Sequence, residues 1–336
     1  MGEPAPASAC QDPVLDLLLR RTASGSTPGR RTDGHVVSLA IEGGGMRGVV
    51  SAGMCAVLEE AGLIPAFDRV YGCSAGAVTG CYTAAGQAVM WATTFEDIAR
   101  REFIDPARAL RRRPVLDLGY LFETVIAARK PLSLDGLARG PEFRAVAVAV
   151  EDATLRVLGD FADLDELLAA VRVSCTVPWL GGSPPTYRGE PMVDGGLREP
   201  IPYVSALEEG SSHVLVLRSR PSSLRVPSRS RIAELAVGRA HPGLRAVMQA
   251  SGDRYNADVD RLAELERGGE APAVAQVGVP VSSRLVGRLS TDPGRIAESL
   301  RLGATAMASA LYGDTTRLMW RPTPVVDREA DARSAA

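Results

Sequence analysis

Lysine is almost absent: Lys130 is the only one in 336 residues, so a serine-lysine dyad would have a single candidate for its base. Histidine is nearly as scarce, at His35, His213 and His241. No stretch approaches the ~18 to 20 uninterrupted apolar residues a bilayer requires, which excludes a spanning helix. Neither sign of charge dominates; a formal net charge of -2 gives no global pull toward nucleic acid, and contact with an anionic surface needs a local patch. The five cysteines (Cys10, Cys55, Cys73, Cys81, Cys175) are odd in number and scattered among apolar or small residues. That pattern suits buried thiols in a reducing compartment better than a disulfide framework, and no metal-ligand cluster is visible. Met1 to Asp12 carry prolines and acids without a basic start or an apolar core, so no secretory signal is expected and the expected location is cytoplasmic.

What the chain does have, at 46% hydrophobic residues, suits a globular enzyme with a sizeable core. It is organised around Gly72-Cys73-Ser74-Ala75-Gly76, a Gly-x-Ser-x-Gly segment between an apolar run ending at Tyr71 and the small-residue run Ala77 to Cys81. We read it as a nucleophile elbow, a sharp strand-to-helix turn that holds a serine hydroxyl clear of the sheet. Ser74 is then the candidate nucleophile. The plainer alternative is a glycine-rich turn that happens to contain a serine.

Val36 to Ile41 is a run of strand length. It ends in Glu42-Gly43-Gly44-Gly45-Met46-Arg47-Gly48 before a helical pattern from Val49 through Glu60. Unpaired amides at such a loop can hold a phosphate or a developing oxyanion. The loop also matches Gly-x-Gly-x-x-Gly, with Asp68 twenty residues past the last glycine, so a dinucleotide fold is considered. The placement argues against it, because Asp68 precedes the run leading into Ser74. Further on, Arg111-Arg112-Arg113 reads as a solvated face, with a grip on a lipid head group as the alternative, and Leu116 to Lys130 has helical spacing. Phe143 to Val150 and Thr154 to Leu158 read as a hairpin, Leu164 to Val173 as a helix, and Tyr187 to Val193 as a strand pair ending in Asp194-Gly195-Gly196. A helix over Pro200 to Glu209 and a strand over His213 to Leu217 follow. Strands alternating with helices predict a largely parallel sheet covered on both faces. Helical patterns over Ile232 to Leu244 and Arg254 to Leu265, a strand over Ala273 to Val281 and a helix from Asp292-Pro293 to Tyr312 complete the pattern.

A serine needs a positioned base. The order serine, acid, histidine admits His213 or His241, but the first starts an apolar strand and the second sits in an Arg/Gly/Pro context. His35 stands beside a linker. Asp194, at a strand end with two glycines after it, remains as a carboxylate acting alone, with a simple turn cap as its alternative role.

Gly43-Gly44-Gly45-Met46-Arg47-Gly48, Gly72-Cys73-Ser74-Ala75-Gly76 and Asp194-Gly195-Gly196, occurring together in this order, resemble the three signatures of the patatin-like phospholipase family. Glu42 and Cys175-Thr176-Val177-Pro178 resemble bacterial members. The resemblance covers about Val36 to Arg218 and implies a three-layer α/β/α fold and a serine-aspartate dyad, Ser74 and Asp194, that hydrolyses lipid acyl esters in the manner of a phospholipase A or lysophospholipase. It implies an oxyanion loop over Gly43, Gly44, Gly45, Met46, Arg47 and Gly48, with the amides around Gly44, Gly45 and Met46 as donors and Arg47 bracing the loop or a phosphate. Gly72, Gly76, Gly195 and Gly196 would support elbow and dyad. No metal or cofactor is expected. The expected partners are a lipid or acyl-ester substrate, with transient membrane-surface contact at most and no nucleic acid. The expected organisation is a flexible segment at 1–34, with one short helical pattern at Val14 to Leu19 before a linker-like stretch, a catalytic domain at 35–218, a mostly helical C-terminal extension at 219–322 packed on it, and a loose tail at 323–336. Two competing readings are a catalytically silent patatin-like module that binds lipid or protein, and a nucleotide-binding oxidoreductase built on the glycine loop.

Overall fold

The computed structural model describes residues 12–227, 242–269 and 271–313. The expected tail, Cys10, His241 and most of the helical pattern over Ile232 to Leu244 lie outside these residues.

Among the described residues eight strands form one sheet: β1 (Val37–Ile41), β2 (Arg69–Cys73), β3 (Glu142–Ala149), β4 (Leu155–Leu158), β5 (Thr186–Tyr187), β6 (Glu190–Asp194), β7 (His213–Leu217) and β8 (Ala273–Val277). The hydrogen-bonded path runs β5-β6-β3-β2-β1-β7-β8, with β4 also paired to β3. The middle of the sheet is parallel, from β3 through β2, β1 and β7 to β8. β4, β5 and β6 are antiparallel additions at one side. Parallel strands need covered faces, and β1 and β7 are buried at every position.

The helices are α1 (Pro13–Ala23), α2 (Val49–Glu60), α3 (Ala75–Ala84), α4 (Ala88–Ile98), α5 (Leu134–Arg139), α6 (Leu164–Cys175), α7 (Tyr203–Glu208), α8 (Pro242–Gln249), α9 (Ser251–Gly268) and α10 (Pro293–Tyr312). Alternate residues of β1 separate the two cores. Leu39 and Ile41 join side chains from α1, α2, α3, α4, α6 and α10, whereas Ala40 faces Tyr71, Val214 and Val216 with side chains of α7 and α9. The result is the expected three-layer α/β/α arrangement. Among the described residues no helix is long and apolar enough to cross a membrane.

Three regions differ from the sequence expectation. Within the segment expected to be flexible, Pro13–Ala23 is a helix capped by Asp12, whose carboxylate accepts from the amides of Val14 (2.9 Å) and Leu15 (3.1 Å). Its Val14, Leu15, Leu17 and Leu18 are buried, and its Arg21 donates to Asp33 and Asp68 and to the carbonyls of Ala66 and His35. The short helical pattern from Val14 to Leu19 is legible along the chain; what the linker-like composition after it concealed is the anchor, one arginine whose acceptors lie 12 to 47 positions away. Tyr120–Arg129 is a π-helix rather than an α-helix. Its buried residues are Leu121, Phe122, Val125 and Ile126, and the wider i→i+5 turn keeps both four-residue pairs on one face. Finally, the boundary drawn at 218 falls inside the sheet. β8, from the expected extension, pairs in parallel with β7 over Ala273 to Val277, because an apolar parallel strand at the end of the catalytic part still has an unpaired edge to fill.

Candidate active site

The sheet brings Ser74 and Asp194 together. β2 pairs with β3 as far as Cys73 opposite Val146, and Ser74 follows. β4 and β6 both pair with Ala147 and Val148, and a strand has only two edges. β6 therefore takes the edge that β2 leaves at Val146 and, running antiparallel, ends with Asp194 opposite Ala147. The nucleophile candidate and the carboxylate thus sit at two strand ends that meet on consecutive positions of β3. Side-chain contacts agree: the Cys73 thiol lies 3.9 Å from Asp194 Oδ1, and a Cβ on Gly195 would collide with the Val146 carbonyl.

Ser74 has φ 56 and ψ -127, a conformation that is rare for a residue with a side chain and that stores backbone strain in the turn. Its neighbours hold it there. The Ser74 amide donates to Ser174 Oγ at 3.1 Å, that hydroxyl donates to the Val146 carbonyl at 2.7 Å, and the Cys175 thiol donates to the Ser74 carbonyl at 3.2 Å. The turn closes only with glycine two residues either side: a Cβ on Gly72 would strike Gly76 O and Ala77, and one on Gly76 would strike Ile41 O. Asp194 accepts from the Gly196 amide at 2.7 Å. The turn cap weighed from sequence is therefore present, and it fixes the carboxylate.

The glycine loop lies across the neighbouring strand end. Gly43, Gly44, Gly45 and Met46 line one cavity with Ser74 and Asp194. The amides do not all serve alike. Gly43 N donates to Pro200 O and Met46 N to Arg288 O, both at 3.0 Å. This removes Met46 from the expected donors in this arrangement, because the C-terminal segment has taken its N–H. The amides of Gly44 and Gly45 have no acceptor among the described residues, and neither does that of Ala75, the first residue of α3. Arg47, Gly48, Gly72, Gly76 and Gly195 stand behind the cavity wall, while Gly196 lines it.

Under the loop is a buried charge cluster. Glu42 is fully buried, with Ser219 N at 2.8 Å, Tyr255 OH at 2.9 Å, Arg218 Nε at 3.3 Å and Arg220 Nε at 3.1 Å. Burial pushes its carboxyl up, but Arg218, Arg220 and Arg47 outweigh that and hold it below the usual range. Arg220 Nε makes the ion pair without hydrogen-bond alignment. Arg47 lies in the same cluster: its Nε and Nη2 are buried with no hydrogen-bond partner among the described residues, and burial with the nearby Arg220 and Arg288 brings its guanidinium down to about 10. Behind Asp194, burial pushes Glu199 up to about 7 despite hydrogen bonds from Ser205.

The cavity holds about 210 Å³, and away from Ser74 its wall is apolar, with Trp91, Phe95, Phe103, Ile104, Leu121 and Leu180. Such a wall suits the apolar part of a ligand. The other candidate bases among the described residues are remote. His213 pairs with Val37 at the opposite end of the sheet, about 13 Å from the glycine loop at ~3.3 Å per residue. There its ring meets His35 at 4.7 Å, and its Nδ1 lies 3.0 Å from Ser212 Oγ. Lys130 Nζ lies 3.4 Å from Thr93 Oγ1 and is not among the cavity residues. Asp68, the acid of the dinucleotide reading, is held by Arg21 and Arg31 and accepts from Val37 N. Sequence reading missed Ser174 and Cys175 as supports of the elbow, and Arg220 and Arg288 as cavity residues. Only the Cys175 segment carried a signal, as part of the resemblance.

The family model for patatin-like phospholipase matches residues 39–207, the stretch that contains both strand ends and the glycine loop. The chain belongs to the patatin-like phospholipase family. Among its patatin-like relatives, the uncharacterized protein YjjU of Escherichia coli (strain K12) is 30% identical over 198 residues, 56% of this chain and 53% of that protein. An uncharacterized NTE family protein of Mycobacterium tuberculosis (strain ATCC 25618 / H37Rv) is 30% identical over 184 residues, 52% of this chain and 28% of that protein. The match thus spans about half of the first relative and little more than a quarter of the second. VipD from Legionella pneumophila aligns in structure with TM-score 0.40 and 13% identity, over 82% of this chain and 66% of that one.

Proposed function

We propose that the protein is a serine acyl-ester hydrolase acting on lipids, with Ser74 as nucleophile and Asp194 as its base. The observation that supports this reading is the meeting of β2 and β6 on one edge of β3, where Cys73 and Asp194 take consecutive register positions and Ser74, next after Cys73, lines the same largely apolar cavity as Asp194. Ser74 Oγ attacks the ester carbonyl and Asp194 takes its proton. The tetrahedral oxyanion receives N–H groups from Gly44, Gly45 and Ala75, of which a single donor is worth about 3 kcal/mol. Collapse releases the alcohol, protonated by Asp194, and leaves the acyl group on Ser74. Asp194 then removes a proton from water, which attacks the acyl-enzyme and frees the carboxylic acid. The apolar wall would take the acyl chain, which makes phospholipids and lysophospholipids the substrates to test.

The test is turnover of a nitrophenyl ester series by the wild type, Ser74→Ala, Asp194→Asn, His213→Ala and Lys130→Ala. Both dyad variants should lose at least about a thousandfold in kcat, and the other two should stay close to wild type. Retained activity in Asp194→Asn would overturn the assignment of the base. Full inactivity of a folded wild type on all acyl esters would favour a silent binding module.

A further inference from the structure

Two segments that wall the cavity carry side chains no fold requirement explains. The first runs from Phe103 to Leu118 and contributes Phe103, Ile104, Leu116 and Leu118 to the wall. Its middle is the 3-10 helix Pro106–Arg111, opened by Asp105 accepting from Ala107 N at 3.0 Å and closed by Arg112 with φ 54. None of that helix is buried, and Leu110 at its tip is 89% exposed. Arg111, Arg112 and Arg113 are exposed too, and no carboxylate among the described residues pairs with them. The second segment, Cys175 to Gly182, contributes Cys175, Val177 and Leu180 to the wall. Between the last two, Trp179 is 58% exposed and held at φ 75, which for so bulky a residue is a strained conformation. The turn is fixed by Leu180 N and Gly181 N donating to Val177 O at 3.1 and 2.9 Å. The two segments are fastened side by side through Leu116 N donating to Leu180 O at 2.9 Å.

We propose that this pair of segments is a docking surface for an anionic phospholipid bilayer. The arginine run supplies attraction to the negatively charged surface. Leu110 and Trp179 are the residues that enter the headgroup boundary, where an indole is stable with one side apolar and one side wet. Continuity with the cavity favours a lipid surface over a protein partner: the same backbone that presents Leu110 and Trp179 outward turns Ile104, Leu116 and Leu180 inward, toward the space where an acyl chain would go. An acyl chain leaving the bilayer here would pass from one apolar surface to another. The purpose assigned to the surface rests on the hydrolase reading, but its existence is measured separately.

The experiment uses full-length Ser74→Ala, which leaves the bilayer intact, with vesicles of phosphatidylcholine and of phosphatidylcholine mixed with phosphatidylglycerol. Sedimentation should show binding to the mixed vesicles that weakens as salt is raised. Replacing Arg111, Arg112 and Arg113 with glutamine should lower the partition coefficient by roughly a hundredfold. Brominated lipid should quench the tryptophan emission, and Trp179→Phe should abolish that quenching. Leu110→Asp should also weaken binding while leaving the thermal midpoint of the protein where it was. Equal binding to neutral and anionic vesicles, full binding by the arginine-free variant, or quenching that survives Trp179→Phe would each overturn the proposal. So would a stable dimer that buries Trp179, which would assign the face to a second copy of this chain. Absent ester turnover in the wild type counts against the hydrolase reading; absent vesicle binding in an active enzyme counts against the docking surface.

Discussion

Glu199 lies just behind the candidate dyad, 5% exposed, accepting from Ser205 N at 2.8 Å and from the Ser205 hydroxyl. Its carboxyl is pushed up to about 7, first by burial, which the Ser205 bonds only partly offset. A folded-state value above the unfolded one means that the native protein holds the proton more tightly, so stability falls as pH rises from about 4.5 through 7. At ~1.4 kcal/mol per unit, the contribution is about 3 kcal/mol. Urea midpoints measured across that range should decline in the wild type and decline less in Glu199→Gln. Equal slopes would show that Glu199 is ionised in the fold. Cys73 and Cys175 touch the same elbow, yet burial pushes both thiols well above the usual range. Thiol-specific alkylation at neutral pH should therefore be slow at both and should leave ester turnover intact, whereas rapid loss of turnover would mean that one of them is accessible as thiolate.

Between elements, two close approaches set the geometry. α2 and α10 cross with their backbones nearly touching: a Cβ on Gly53 would strike Leu300 O, and one on Gly303 would strike Val50 O. Neither backbone can shift without moving a whole helix. Gly303→Ala should therefore cost more than the ~1 kcal/mol that alanine normally gains over glycine in a helix, and thermal melting should show a net loss of several degrees. An unchanged or raised midpoint would mean the helices separate easily. The second approach is the glycine loop against the C-terminal segment. Gly45 has φ +58, a Cβ there would lie 2.6 Å from Arg288 O, and Met46 N donates to that same oxygen. Gly45→Ala should displace the loop and lower ester turnover by roughly 10²-fold, the value of one oxyanion donor, with the melting temperature much less affected. Equal loss of stability and activity would assign Gly45 to the fold alone.

At the scale of the molecule, the sheet decides what can be removed. β8 completes it beside β7, and α10 covers the same core as α2 and α4. A fragment of residues 35–218 would expose the β7 edge and the apolar face under α10, so it should be insoluble or aggregate on expression. A soluble, cooperatively melting fragment would restore the two-domain division. Most elements were legible along the chain because each rests on local rules: β1 and β7 are short apolar runs, Asp292-Pro293 opens a helix, and the Gly72 to Gly76 spacing admits only a tight turn. What was not legible shares one cause. Arg21 reaches Asp68, Arg288 takes the Met46 amide, and Arg220 lies 178 positions from its partner Glu42; composition carries no record of such distances. The sequence by itself determined the strand-and-helix order and the candidates Ser74 and Asp194, because each rests on residues within a few positions of one another, and it carried the family through three such short signatures kept in one order along the chain. Only the tertiary structure decided that β2 and β6 meet end to end on β3, and which loop amides remain unbonded. Strand pairing is settled by which edges and faces remain to be covered once the whole chain has packed.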